Sequence, residues 1–313
     1  MRDDQRAALA LMGERFPLVE ERFRRVYNLR LPRHVAVFAA FWHSLDCAER
    51  SAVWGGLGLR TGGITALFAD GGLSLSARDG LDERLDHRYR RDPPELVTIM
   101  GGDSDGLHYG LWYDDPADLP TFVAYNWARD TAETWTNGWV TMLGQTYGLL
   151  QKVRSDRERD DPARYEGAEP LEPAEDALNA FADADAEALA QDGPRRWATA
   201  DRPDGGVTIG PALPPDAGDP RAGRADERIE LYRSPETAAS IIAEARAELA
   251  AGQPAYALVV GRELHWFDAD DHRAEATELL VGAYRALGRD ALADIAEVHH
   301  ANRDLRSVDV LVR

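Results

Sequence analysis

Cysteine is almost missing from this sequence. Cys47 stands alone, which excludes an intrachain disulfide and any zinc site built on paired thiolates. Positive charge is short as well. Against 55 acidic residues there are 36 basic ones, a formal net charge of −19. That balance argues against a general binder of nucleic acid or of an anionic membrane surface. It suits basic partners, or solubility alone. No apolar run approaches bilayer-spanning length, and the opening MRDDQRAALA holds no signal-peptide apolar core, so a cytoplasmic protein is expected. Short catalytic signatures are absent too. There is no GxSxG, no Walker loop, no Rossmann glycine fingerprint after a strand and no HExxH. No cofactor and no metal site are therefore expected, and no self-sufficient enzyme.

What is present is a chain of 313 residues, 44% apolar, long enough for two domains of ordinary size. Its most informative run is 89–126. Residues 96–100 are apolar around Val97, Thr98 and Ile99. The GGDSDG of 101–106 is dense turn chemistry, because Gly and Asp tolerate the positive φ that reversal needs. In 107–113 the residues alternate, with Leu107, Tyr109, Leu111 and Tyr113 to one side and His108, Gly110 and Trp112 to the other. A third strand is expected at 122–125. The pattern predicts an antiparallel meander with one buried face. Asp103 and Asp105 could offer oxygen ligands to a hard cation. The bidentate Glu of an EF-hand loop is missing, and a hairpin turn accounts for the composition.

Before the meander, Pro17 predicts a helix start, followed by Val19, Phe23, Val26 and Tyr27 at helical spacing. Leu31-Pro32 interrupts the chain, and a second helix over 33–45 buries Val35, Phe38, Phe41 and Trp42. Residues 64–68 and 73–75 read as two short strands about Gly71-Gly72. The charged stretch 78–92 reads as a surface approach to the sheet. Afterwards Trp127, Trp135, Trp139 and Tyr147 lead into a helix over 139–153 and are expected to cover the sheet. Residues 154–228 shift to Asp, Glu, Pro, Ala and Gly. They form an acidic bridge, partly irregular, with one helix near 173–191 and one short strand at 207–209.

From 229 the pattern is regular again. Ser234-Pro235-Glu236 is a capped helix start, with Ala238, Ile241, Ile242, Ala245 and Leu249 as its apolar face and Gly252 as its stop. Residues 256–260 read as a strand that pairs across Gly261 with Leu264 and Trp266. A helix from 272 carries Ala276, Leu279, Leu280, Ala283 and Leu287. Gly288 separates it from a last helix over 290–302. His299 and His300 are adjacent, so they diverge on a helix and suit a surface or cap role better than a shared metal.

Four pieces stand in order: Leu31-Pro32 with Phe38 and Phe41-Trp42; the block Asp92-Pro93-Pro94-Glu95, Thr98-Ile99, Gly102-Asp103, Tyr109-Gly110, Asp114, Pro116, Pro120 and Asn126; Tyr232-Arg233 with Pro235-Glu236-Thr237; and the tail Ala283-Tyr284, Leu287, Ile295, Glu297, His299 and Ala301-Asn302-Arg303. Together they resemble the histone PARylation factor family, whose members complete the active site of poly(ADP-ribose) polymerases and direct modification to serine. The resemblance implies an α+β fold in two halves. These are an N-terminal α+β domain (1–153) and a C-terminal, mostly helical part (229–313), joined by the bridge 154–228. It also implies an accessory factor that docks on an ADP-ribosyltransferase, with Tyr232 and Arg233 at the partner face. Where the family places an acidic pair, this chain has Ala250, Ala251, Gly252 and Gln253. The nearest carboxylates are Glu248 and Glu263, and Glu248 is the candidate catalytic residue, since a general base must reach the proton it removes.

A second reading belongs to another class. The helix pair and acidic-glycine hairpin of the first half are also similar to the Smi1/Knr4-like superfamily, which includes toxin-neutralising immunity proteins. An acidic surface suits a basic toxin or another basic protein.

Overall fold

The computed structural model describes residues 1–127, 138–193 and 225–313, together with two paired strand segments at 135–136 and 207–208. The chain opens with helix α1 (Asp3–Tyr27), whose buried stripe is Ala8, Met12, Phe16, Val19, Phe23 and Tyr27. Pro17 does not start this helix. It lies inside it and is exposed, as is Gly13 one turn earlier. Proline fixes a helix-compatible φ, and the hydrogen bond it forgoes falls on the wet side, where water can replace it. Asn28 in the left-handed conformation ends the helix. Helix α2 (His34–His43) is buried at every residue but the last, because α1, α4 and α5 surround it. Next come α3 (Cys47–Ser51), capped by Asp46, and the two-residue strand β1 (Arg60–Thr61).

The residues read as strands at 64–68 and 73–75 are instead 3-10 turns, over Gly63–Phe68 and Gly72–Ser74. Gly63 at φ +59 lets this segment lie against the backbone of Thr98, where a Cβ would collide. The Thr65 hydroxyl then donates to Gly62 O and Ile99 O, both at 2.9 Å. Strand β2 (Ser76–Ala77) follows.

The meander is β3 (Leu96–Gly101), β4 (Leu107–Trp112) and β5 (Phe122–Trp127). Strands β3 and β4 pair antiparallel with a bulge between Thr98 and Met100, and β4 and β5 pair in continuous register from Leu107↔Trp127 to Trp112↔Phe122. Ile99 stands at the bulge without a register partner, and its carbonyl oxygen accepts from Thr65. Short strands β6 (Trp135–Thr136) and β7 (Val207–Thr208) extend the sheet, giving the order β1-β3-β4-β5-β6-β7. Contrary to expectation, both faces are buried. Tyr109, Leu111 and Val123 join the main core, while Leu96, Trp112, Phe122 and Ala124 form a second cluster on the other face.

Helix α4 (Met142–Arg159) starts at Thr141, whose Oγ1 accepts from Gly144 N at 3.0 Å. Helix α5 (Glu172–Asp192) buries Leu178 and Phe181. The ring of Phe181 meets Phe41 edge-on at 6.1 Å. The remainder of the expected bridge lies outside the described residues, apart from β7 and the start of α6 (Ala225–Tyr232).

Ser234 caps α7 (Pro235–Ala250), and Gly252 at φ +78 stops it. The segment read as two strands about Gly261 is one helix, α8 (Ala255–Phe267), buried from Tyr256 through Trp266. A helix buried all round needs no solvent-facing polar stripe, so the apolar run 256–260 looks like a core strand. Gly261 is the crossing point with α9 (Arg273–Ala286), where a Cβ would stand 2.9 Å from Leu280 N. After Gly288 (φ +69) comes α10 (Asp290–Ala301). The chain ends in β8 (Leu311–Val312), paired antiparallel with β2. Asp86 Oδ1 accepts from the backbone of Val310 (3.0 Å) and Leu311 (2.8 Å), and burial raises that carboxyl above its ordinary range.

Candidate functional site

The stretch before β3 does not run along the surface: Arg88 and Asp92 are buried. Asp92 is the hub of a polar seam between the sheet and the C-terminal helices. Its Oδ1 receives His108 Nε2 at 2.9 Å and Asn126 Nδ2 at 3.1 Å, and its Oδ2 accepts from Tyr89 N at 2.7 Å. His108 also faces Gly106 O through Nδ1 at 2.8 Å and stacks on Tyr89 with centroids 4.5 Å apart. Both of its partners, Gly106 O and the Asp92 carboxylate, are acceptors.

From the helical side, His265 donates through Nε2 to Asp92 O at 2.9 Å, while its Nδ1 accepts from Arg303 Nη1 at 2.8 Å. Those two contacts fix one neutral tautomer. Burial, with help from Arg303, holds His265 well below the ordinary imidazole range. His299 meets the His265 ring edge-on at 5.4 Å. It is buried rather than at the helix surface, and burial, then Arg88 and Arg303, lower it too. Arg303 is pushed down to about 10 by burial and pairs with Asp268 at 2.9 Å. A second contact line runs from Tyr284 Oη to Glu95 at 2.7 Å, and from Arg262 to Glu95 at 3.8 Å and over the Trp112 ring at 5.2 Å. The seam is closed, and its groups hold each other. It is a clamp, not a pocket.

The expected partner residues lie at the α6–α7 corner, and the structure separates their roles. Tyr232 turns inward, 2% exposed, and its hydroxyl donates to the carboxylate of the wholly buried Glu263 on α8. Arg233 turns outward, its side chain 64% exposed, and pairs with Glu230 at 3.3 Å. Leu231 beside it is 39% exposed. An exposed ion pair of this kind contributes little, so Arg233 can exchange Glu230 for another anion at small cost. Tyr232 and Glu263 are thus brought together. Glu248 is not: it is half-buried near the far end of α7, about 20 Å along the axis from Ser234 at 1.5 Å per residue. Gln253 N bonds Glu248 O at 2.9 Å as the helix ends.

The GGDSDG loop is a turn, with Asp105 and Gly106 at positive φ and Gly102 N bonded to Leu107 O at 2.6 Å. Gly58, at φ +67, lies so close to the Asp103 carboxylate that a Cβ would meet its oxygens at 2.7 Å. Among the described residues, no group of three His, Cys, Asp or Glu could share a metal ion. No described helix is long and apolar enough to cross a membrane. Asp92, Asn126 and Arg303 stand in separate motifs of the sequence, and nothing local shows that they converge on one seam. The usable signal was a charged run leading straight into an apolar strand.

Fold and site together define an α+β protein in which a locked polar seam supports an exposed corner. Residues 19–147 match the family model described as Histone PARylation factor 1. Similar relatives are Histone PARylation factor 1 of Mus musculus (30% identical over 136 residues, 43% of this chain and 39% of the relative), of Bos taurus (34% over 105, 33% and 30%) and of Danio rerio (32% over 114, 36% and 32%). The matches thus span at most about two fifths of those relatives. Over this stretch the chain is similar to histone PARylation factor 1.

Proposed function

We propose that this protein is an accessory factor of ADP-ribosylation that docks on an ADP-ribosyltransferase through the α6–α7 corner. The observation that carries the reading is the match over 19–147 to a family named for histone PARylation. The geometry supports it from outside that range. Tail residues Tyr284 and Arg303 close onto the matched block through Glu95 and through His265 to Asp92, so the helical part that carries the corner is held on the matched part. In this reading Arg233 and Leu231 meet the transferase and Tyr232, anchored on Glu263, sets their position. Glu248 contributes a carboxylate only to a complex whose reacting centre sits at the distal end of α7. A cytoplasmic setting fits the sequence.

The test is co-purification with an ADP-ribosyltransferase from the same source, with target residues mapped by mass spectrometry with and without this protein. Native protein should bind and change the residues modified. Arg233→Glu should weaken binding by about tenfold or more, as expected for reversing a charge at an interface. Glu248→Gln should leave binding intact and alter only the modification pattern. No complex and no change in target choice would overturn the proposal. The second reading, a Smi1/Knr4-like module that binds a basic toxin, is favoured by one observation, the exposed Asp176, Asp183 and Glu187 of α5, which form no ion pair among the described residues. A toxin gene beside this one would support it, and a transferase gene would support the first.

A further inference from the structure

The described part of the molecule carries a groove of about 460 Å³ between the start of α4 and one side of α5. It lies apart from the seam and from the α6–α7 corner. Trp139, Val140, Leu143 and Tyr147 form one wall, and Leu178 and Leu189 with the exposed Ala182 and Ala186 form the other. Trp139 is 37% exposed yet fixed. Its backbone carbonyl accepts from Val123 N at 2.8 Å. Its indole lies across Gly144 and Gly148, where a Cβ on Gly144 would stand 2.8 Å from Cε3 and one on Gly148 would collide with Nε1. Two glycines one turn apart cost helix stability, and here they make room for the ring. The result is a rigid aromatic wall facing an apolar trough. That is the form of a site for a large apolar side chain.

The charge beside the trough points to the occupant. Helix α5 holds seven carboxylates and no Lys or Arg in its 21 residues. Glu175 is matched by Arg154 of α4 at 2.6 Å. On the outer ridge, Asp176, Asp183 and Glu187 are exposed at helical spacing, and among the described residues none of the three forms an ion pair. Like charges repeated along a helix face repel and lower its stability. No basic side chain is among the described residues that line the groove. An exposed indole also attracts a cation over its face.

We propose that this groove is a docking surface for a basic peptide segment whose large apolar side chain enters between Trp139 and Leu189 while its Lys or Arg residues meet Asp176, Asp183 and Glu187. This surface is independent of the α6–α7 corner, so either can fail without the other.

The full chain tests it with a synthetic twelve-residue peptide of Lys, Ala and Leu at helical spacing. One control has Glu in place of Lys, the other Ser in place of Leu. Binding is read by calorimetry and by tryptophan fluorescence. The Lys/Leu peptide should bind at least about tenfold tighter than either control, since neither charge nor apolar contact alone supplies the site. Ala186→Arg changes an exposed alanine and should preserve the fold by circular dichroism while weakening binding by about tenfold or more. The triple variant Asp176→Lys, Asp183→Lys, Glu187→Lys should do the same and remove the salt dependence. Several results would overturn the proposal: no binding, equal binding of the Leu-to-Ser control, or no effect of Ala186→Arg. Displacement of the peptide by a small apolar dye leaves it standing, whereas dye and peptide bound together would place the peptide elsewhere and sink it.

Discussion

The seam around Asp92 and the outer ridge of α5 use the same kinds of residue to opposite ends. In the seam the charges are enclosed and partnered: Asp92 by His108, Asn126 and Tyr89 N, Arg303 by Asp268 and His265. On the ridge Asp176, Asp183 and Glu187 stand in water, and no described ion pair answers them. A buried charge without partners costs several kcal/mol, so the seam exists only complete and holds one arrangement. An exposed carboxylate costs almost nothing, so the ridge is free to take a partner. Composition alone cannot tell the two apart. What separates them is solvent access.

Three experiments sharpen that contrast. The largest effect belongs to Asp92→Ala, which strips His108, Asn126 and Tyr89 N of their shared acceptor inside a closed region. About 3–5 kcal/mol should be lost from the stability measured by urea unfolding; a loss under about 1 kcal/mol would show that the seam is wetter than it looks. Next is pH. His265 and His299 are held below the ordinary imidazole value in the fold, so the unfolded chain binds their protons first. Their contribution is complete above about pH 6.5 and is lost as pH falls from there toward the lowered folded values, by up to about 1.4 kcal/mol per unit for each ring. Asp86, raised by burial, works the other way, since the folded protein takes up that proton before the unfolded chain does as pH falls. Unfolding followed between pH 7 and 5.5 in native protein and in His299→Gln should show the slope reduced in the variant. The smallest effect is on the ridge. The triple reversal Asp176→Lys, Asp183→Lys, Glu187→Lys should shift stability by no more than about 0.5 kcal/mol while changing peptide binding. A large destabilisation would mean that these carboxylates support the fold, and the contrast would fail.

Much of the architecture was legible from residue order. The meander, its turn at GGDSDG, the apolar stripe of α2, the Ser234 cap and the glycine stops at 252 and 288 all follow from local pattern and turn chemistry. Misreadings came where local pattern is ambiguous. Residues 256–260 are an unbroken apolar run, which suits a central strand and a buried helix equally, and only the packing of α9 against Gly261 decides. Residues 64–68 have strand composition, but the backbone of β3 occupies the space beside them. Pro17 carries the signal of a helix start, yet the stripe upstream of it is strong enough to carry the helix through. Of the candidate residues, Tyr232 and Arg233 were visible as a pair. That one turns in and the other out depends on where α8 lies.

By itself the sequence determined the elements with a clear period or cap, the excess of negative charge and the resemblance carried by its ordered motifs, because periodicity, caps and turns act over a few residues. The tertiary structure decided which charges are sealed and which are open. Residues as distant in the chain as Asp92 and Arg303 meet through His265 only after sheet and helices pack, and it is that packing, by removing water, that turns the same carboxylate from a solvated group into a fastening.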